Sequence, residues 1–373
     1  MLKRPWSFFV LFAVFVLVVG AACSASGGDT SPTAEPTEDS VAIPTVIPQP
    51  TAELPKPALP TQGAAPVGPA PFELDSAVYE HPSGTFSFNP PADWTPSEGT
   101  GGVVFTSPDG VGTIDFSVTN TGYELDLASF ESFVQATEAN YYGWRPDYTQ
   151  VGYELDEGNG SVLVAKTFTS DGIPQAVFTL YLLNGQGVYV FDFWSEEGVA
   201  QAYSDPYFEL MSTINVDSTN VAEMPVYNYI YTYNDPNGLF QYDVPLAWTY
   251  SYDESENVYV DTFTSPDQHG VIQNITYDDG TTFTKSQAGA AALSLLNQSY
   301  TNGANDIRIT DDKVQSDGSE RLTWESRSGG FSGQSFFETR GTTFLMLSYL
   351  VDDGYADYYG PVWDNTLGTY TIP

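Results

Sequence analysis

Apolar and polar residues alternate over Val162–Phe168, Ala176–Leu183 and Val188–Trp194, and again over Arg321–Ser326, Gly333–Thr339 and Thr343–Val351. A period of two sends successive side chains to opposite faces of a sheet, so each run predicts a strand with one buried face. The links "LNGQG" (Leu183–Gly187) and "TRGT" (Thr339–Thr342) are short and carry Gly, which predicts hairpins. Upstream of each set the period becomes helical. Leu127, Phe130, Val134 and Tyr141 share one face of a helix over Leu127–Tyr141, with Asp126 as its cap. Ala288, Ala292, Leu295 and Leu296 do the same over Ser286–Tyr300. A closing helix is expected to start near Pro206 and near Pro361, because proline is tolerated in a first helical turn. Brief terminal strands follow, Thr213–Val216 and Thr369–Ile372. The predicted fold class is α+β: a mostly antiparallel β-sheet packed by helices, twice over.

The two sets are copies. "YEHPSGTFSFNPPADW" (Tyr79–Trp94) aligns without a gap on "YNDPNGLFQYDVPLAW" (Tyr233–Trp248), with Tyr79/Tyr233, Pro82/Pro236, Gly84/Gly238, Phe86/Phe240, Pro91/Pro245 and Trp94/Trp248 identical. "FTSPD" then recurs at Phe105–Asp109 and Phe263–Asp267, which requires four extra residues in the second copy after Trp248. The same order is kept through Gly122/Gly280, Gly160/Gly318 and Pro206/Pro361. Order maintained at this length means tandem domains, 73–217 and 218–373. "FTSPD" reads as a strand end and a turn, with Pro setting φ and Ser and Asp capping. Its recurrence is therefore a structural signal. Trp94 and Trp248 read as core anchors.

"GTFSFNPPADW" and "GLFQYDVPLAW" resemble the opening of PsbP-like domains, relatives of the extrinsic PsbP subunit of photosystem II, many of whose bacterial copies are secreted lipoproteins. The later strand end, long helix, run of strands and terminal helix and strand follow the same order, over about 300 residues in both copies. The resemblance implies two tandem PsbP-like domains and a non-enzymatic accessory or binding role. It carries over no metal ligands, and nothing in the chain points to a photosystem.

The N-terminus differs in kind. Lys3 and Arg4 precede an apolar run from Trp6 to Val19 and then "GAAC". A basic start, an apolar stretch and small residues make a secretory signal. Cys23, the only cysteine, follows Ala21-Ala22 and resembles the lipidated Cys of a bacterial lipobox, although Gly20 stands where Leu is usual. Residues 1–22 are thus expected to be a lipoprotein signal peptide, and 23–72 a lipidated Cys23 with a Pro/Thr-rich stalk. Frequent Pro favours extended conformations, giving a semi-rigid spacer with a reach of roughly 100 Å. The expected location is extracytoplasmic, lipid-anchored to the outer face of the cytoplasmic membrane or to the outer membrane. With a single Cys, no intramolecular disulfide forms.

Charge narrows the partners. The chain carries 48 acidic and 11 basic residues, a formal net charge of −37. Residues 73–217 hold 22 acidic and 2 basic residues, and 218–373 hold 21 and 6. Both copies repel phosphate backbones, which excludes nucleic acid. A protein partner is expected to be basic, a glycan being the other macromolecular ligand considered.

Catalytic chemistry is sparse. The two histidines, His81 and His269, have no counterpart in the other copy, so a histidine-based triad repeated in each domain is excluded. No nucleophile elbow, zinc-binding HExxH or phosphate loop occurs. The reading is a non-catalytic cell-surface binding or accessory module without a cofactor. One alternative is a calcium-dependent or carbohydrate-binding module. Its calcium ligands would come from Asp156, Glu157, Asp278, Asp279, Asp311, Asp312, Asp317, Asp352 and Asp353, clustered in loops. Its binding face would be Tyr227, Tyr229, Tyr231 and Tyr233, which fall at every second residue. A further alternative is a hydrolase using paired carboxylates.

Overall fold

A computed structural model describes residues 72–301, 303–316 and 318–373. The signal segment, Cys23, the stalk up to residue 71, and Asp317 lie outside the described residues.

The chain divides into two compact units, one of residues 72–250, 263–270 and 354–373, the other of 251–262 and 271–353. The first is built on a seven-stranded antiparallel sheet in the order β3-β4-β5-β9-β8-β7-β6. Its strands are β3 (Thr95–Glu98), β4 (Gly102–Thr106), β5 (Gly112–Asn120), β6 (Thr149–Asp156), β7 (Ser161–Ser170), β8 (Ile173–Asn184) and β9 (Gly187–Glu196). A short sheet of β1 (Tyr79–Glu80), β2 (Phe86–Phe88) and β10 (Asn215–Val216) accompanies it. Phe86, Phe88, Ile114, Phe116, Phe191, Phe193, Tyr203 and Tyr207 are all buried in one aromatic core between these strands and helix α2 (Ala200–Met211). The opposite face of the large sheet meets helix α1 (Leu127–Thr137), capped by the Asp126 carboxylate accepting from Ser129 N, and its π-helical continuation Glu138–Tyr142.

The second sheet repeats the plan, β13-β14-β15-β19-β18-β17-β16. These are β13 (Thr249–Ser255), β14 (Val258–Thr264), β15 (Gly270–Asp278), β16 (Ile307–Val314), β17 (Glu320–Ser326), β18 (Phe331–Arg340) and β19 (Thr343–Asp352). Helix α3 (Lys285–Thr301) buries Ala288, Ala292, Leu295 and Leu296 against it. The hairpin β11 (Ile230–Asn234) and β12 (Gln241–Pro245) and helix α4 (Ala356–Thr369) belong to the larger unit. The fold class is α+β, as the alternation and helical periods predict. The four inserted residues lengthen both strands of the β13–β14 hairpin: β13 runs seven residues where β3 runs four, and β14 seven where β4 runs five.

The duplicated pentapeptide is a structural turn. Ser107 Oγ donates to Asp109 (2.7 Å) and accepts from Gly112 N (2.9 Å), while Ser265 Oγ donates to Asp267 (2.5 Å) and accepts from Gly270 N (2.9 Å). Two details differ from the sequence reading. The closing helices begin at Ala200 and Ala356, placing Pro206 and Pro361 inside them. Each proline costs its helix one N–H bond, which packing of the flanking aromatics Tyr203, Tyr207, Tyr359 and Trp363 offsets. The terminal strands are also shorter: Asn215–Val216 pairs with β2, and the second is the single bridge Gln241–Thr371.

Candidate functional site

Asp156, Asp278, Asp279, Asp311 and Asp353 already have partners within the protein, and Asp311 and Asp312 lie on a strand instead of the expected loop. Asp156 accepts from Gly158 N (3.0 Å) and Asn159 Nδ2 (2.6 Å) in the β6–β7 turn that also holds Glu157. Asp278 accepts from the Thr342 and Thr343 hydroxyls, and Asp279 from the Thr281 amide and hydroxyl. Asp311 pairs with Lys313 (2.6 Å) on β16, the strand that also carries Asp312. Asp353 accepts from Gly330 N (3.0 Å), and Asp352 ends β19. Among the described residues, no three His, Cys, Asp or Glu side chains gather as a metal centre.

The tyrosine ladder is corrected. The strand begins only at Ile230, and Tyr227 has φ +49°, so the four rings do not alternate along one strand. Tyr227, Tyr231 and Tyr233 are buried in aromatic packing with Trp248, Phe263 and Tyr242, and Tyr229 is half-buried. Tyr227, Tyr231 and Tyr233 are core, so the four rings form no shared stacking face.

The unusual chemistry lies under α1. Asp115 on β5 and Asp192 on β9 are direct cross-strand partners, and Asp192 is in turn opposite Thr179 on β8. Like charges directly opposite are unfavourable. Asp192 is relieved by hydrogen bonds from Tyr142 Oη (2.8 Å) and the Thr179 hydroxyl. Behind it, buried Lys166 Nζ meets Glu138 Oε1 at 2.5 Å and sits 3.4 Å from the Tyr142 ring centroid. Tyr181 Oη donates to the same Glu138 oxygen (2.7 Å). The start of the π-helical segment at Glu138 places that carboxylate over the strands. Burial lowers the Lys166 pKa against the pull of Glu138, and burial raises that of Asp192 despite Lys166. Asp115 receives no hydrogen bond among the described residues. Burial, with Asp192 adding, pushes its carboxyl up to about 8.

The second sheet shows that the fold does not need these charges. The positions of Asp115, Asp192 and Thr179 are filled there by Gln273, Ser348 and Ser335, and those of Glu138 and Lys166 by Leu296 and Trp324. Trp324 Nε1 donates to Ser335 (2.9 Å), Ser335 bonds Ser348 (2.8 Å), and Tyr300 stacks on Trp324 at 5.2 Å. The same layer is thus closed with neutral groups. An equally packed neutral solution makes the buried ions of the first sheet a functional candidate.

Asp115 also faces open space. It lines a cleft of about 510 Å³ whose walls include Val103, Met224, Tyr229 and Val362. The segment 224–230 forms one wall and is tied to β5. Asn228 Oδ1 accepts from Asn120 N (2.9 Å), Asn228 Nδ2 donates to Val118 O (3.0 Å), and Tyr227 N donates to Asn120 O (2.6 Å). The approach is close because Gly102 has no side chain; a Cβ there would stand 2.6 Å from Phe116 O and 3.0 Å from Tyr229 Oη. Among the described residues that line the cleft there is no Lys, Arg or His, and Asp115 is the single carboxyl. The volume falls within the ~300–1,000 Å³ of small-molecule pockets.

Sequence reading passed over these residues, although one signal was present. Val162, Val164, Lys166 and Phe168 occupy the inward register of one strand, and a lysine in that register, one of two bases in its copy, has no place on a solvated face.

No protein-family profile and no curated relative matches the chain. Solved structures do. The solution structure of cyanobacterial PsbP (CyanoP) from Synechocystis sp. PCC 6803 matches with a TM-score of 0.32 at 13% identity, over 39% of this chain and 93% of that one. LpqN of Mycobacterium tuberculosis, involved in cell envelope biogenesis, gives 0.29 at 14%, over 38% and 89%. The immunity protein TplEi of the T6SS of Pseudomonas aeruginosa gives 0.22 at 10%, over 75% and 98%. Among the described residues, no helix is long and apolar enough to cross a membrane.

Proposed function

We propose that the chain is an exported, lipid-anchored accessory module of the cell envelope, built from two PsbP-like repeats, that binds a small amphipathic ligand without transforming it. The observation that carries this reading is the cleft over Asp115: mostly apolar walls, a few neutral polar groups such as Asn228 and Asn365, and one carboxyl. Apolar surface supplies affinity and a few polar groups fix orientation. Hydrolysis by a carboxylate pair asks for two carboxyls presented to one bond. Among the described residues Asp115 is the one carboxyl that lines the cleft, while Asp192 bonds Tyr142 and Thr179 and lines only the water-sized space behind it, which has no room for a scissile bond. Anchoring rests on Cys23 and the stalk, which would hold the acidic body away from anionic lipid heads.

The test is ligand-observed NMR on the mature chain from residue 23, with Cys23→Ala to keep it soluble. A panel of six-carbon alcohols, amines and carboxylates serves as probe. Saturation transfer to one or more of these, lost on filling the cleft with Gly101→Trp, supports the reading. Absence of transfer from every probe rejects it.

A further inference from the structure

Behind Asp115 lies a second, smaller space. It measures about 30 Å³ and is lined by Asp115, Asp192, Thr137, Tyr141 and Tyr229, with Asp115 and Tyr229 also lining the cleft. That is room for about one water-sized group. Its walls are rich in oxygen, and no basic side chain reaches it among the lining residues. Thr137 Oγ1 is buried there without a hydrogen-bond partner. A helical threonine ordinarily satisfies its hydroxyl on the carbonyl one turn back. Thr137 does not, at the point where the helix passes into its π-helical segment.

Resting on the cleft reading above, the geometry points to a ligand with a primary ammonium head, which enters this chamber while its apolar body lies in the cleft. A primary ammonium has three N–H donors. Three acceptors stand in the chamber wall: the Asp115 carboxyl, the second lone pairs of the Asp192 carboxylate, and Thr137 Oγ1. Lys166 is taken up by Glu138 and also attracts Asp192, so Asp115 is the chamber carboxyl with neither a hydrogen bond nor an ion pair among the described residues, and an arriving ammonium would hold it ionised. Tyr141, Tyr142, Tyr181 and Tyr229 are the other titratable groups on the chamber, all held neutral by burial. The chamber admits –NH3⁺ but excludes a trimethylammonium, which is larger and has no donor. A hydroxyl head has one donor and no charge. The net charge of −37 steers cations toward the protein in general, and the chamber selects among them.

The experiment is calorimetric titration of the mature Cys23→Ala chain with hexylamine, hexanol and hexyltrimethylammonium at pH 8. The expected result is hexylamine binding at least tenfold tighter than either of the others. Asp115→Asn removes that advantage while leaving hexanol binding in place. Thr137→Val, nearly isosteric, weakens hexylamine by three- to tenfold and serves if Asp115→Asn fails to fold. Equal binding of hexylamine and hexanol overturns the ammonium inference but keeps the cleft. Tight hexyltrimethylammonium binding also overturns it, as does calcium chloride alone competing hexylamine out at matched ionic strength. If none of the three binds, the cleft reading itself falls.

Discussion

The Cη2 edge of the Trp94 ring lies on Gly112, where a Cβ would stand 2.8 Å away, and Trp248 meets Gly270 in the same way at 3.2 Å. Each glycine also donates its N–H to the serine of the repeated pentapeptide, at 2.9 Å in both copies. The motif is therefore a three-part device: a serine-closed turn, a strand that starts on glycine, and a tryptophan laid over it. Gly112→Ala is expected to cost about 1–3 kcal/mol, because a rigid indole has to move. Gly270→Ala is expected to cost less, since its nearest contacts are at 3.1–3.2 Å. Urea unfolding of the two variants checks the order.

Asp115 sets a pH dependence. In the unfolded chain its carboxyl ionises in the ordinary range, whereas in the fold it does so at about 8. Between those values the folded state keeps a proton that the unfolded state has lost, so this group's contribution falls as pH rises and is gone above about 8. Asp115→Asn removes that slope. Its melting temperature is expected to exceed that of the parent at pH 8 and to match it near pH 4. Melting curves from pH 4 to 8.5 for both proteins give the comparison. A variant that is more stable but blind to amines would show a binding group held at the expense of stability.

Salt is expected to act without ion identity at the acidic loops. Asp156, Asp279 and Asp353 already accept local N–H or O–H bonds, and Asp311 has Lys313. With 48 acidic residues against 11 basic, screening relieves repulsion whatever the cation. Calcium, magnesium and sodium chlorides at matched ionic strength are expected to raise the melting temperature equally. A calcium-specific rise of several degrees would return these loops to the status of metal ligands.

Strand alternation, helix faces and the duplication were legible because each is a local period or a repeated string. The inward register of Val162, Val164 and Phe168 follows from spacing alone. The site was not legible. Asp115 and Asp192 are 77 residues apart and become neighbours only through the register of β5 on β9. Acidic residues in turns drew attention by clustering in sequence, yet clustering there reflects turn geometry. The tyrosine ladder misled for a related reason. Tyr227 takes a left-handed φ to let Asn228 reach β5, which breaks the two-residue period before the strand starts.

Glu138 and Lys166 test whether the first sheet needs its buried ions. Lys166→Met alone leaves the Glu138 carboxylate buried beside Tyr181 and Tyr148 with no cation, and such a break costs about 3–5 kcal/mol. Glu138→Leu alone strands the Lys166 ammonium on the Tyr142 ring and is expected to cost a similar amount. The double variant places an apolar pair where the second sheet holds Leu296 and Trp324. Tryptophan itself is unsuited to position 166. Trp324 is accommodated by Gly333 across the strand pair, whereas Val177 faces Lys166. Leucine with methionine avoids that clash, so the double variant should be more stable than either single and within about 1.5 kcal/mol of the parent. Urea titration of the four proteins closes the cycle. If the double variant loses as much as the two singles combined, the ions are structural after all, and the contrast between the two sheets no longer argues for function. If it folds well, hexylamine titration of the same protein separates the roles. Retained binding would assign the ammonium to Asp115, Asp192 and Thr137 alone, and lost binding would show that the Glu138–Lys166 pair holds Asp192 and Tyr142 in place.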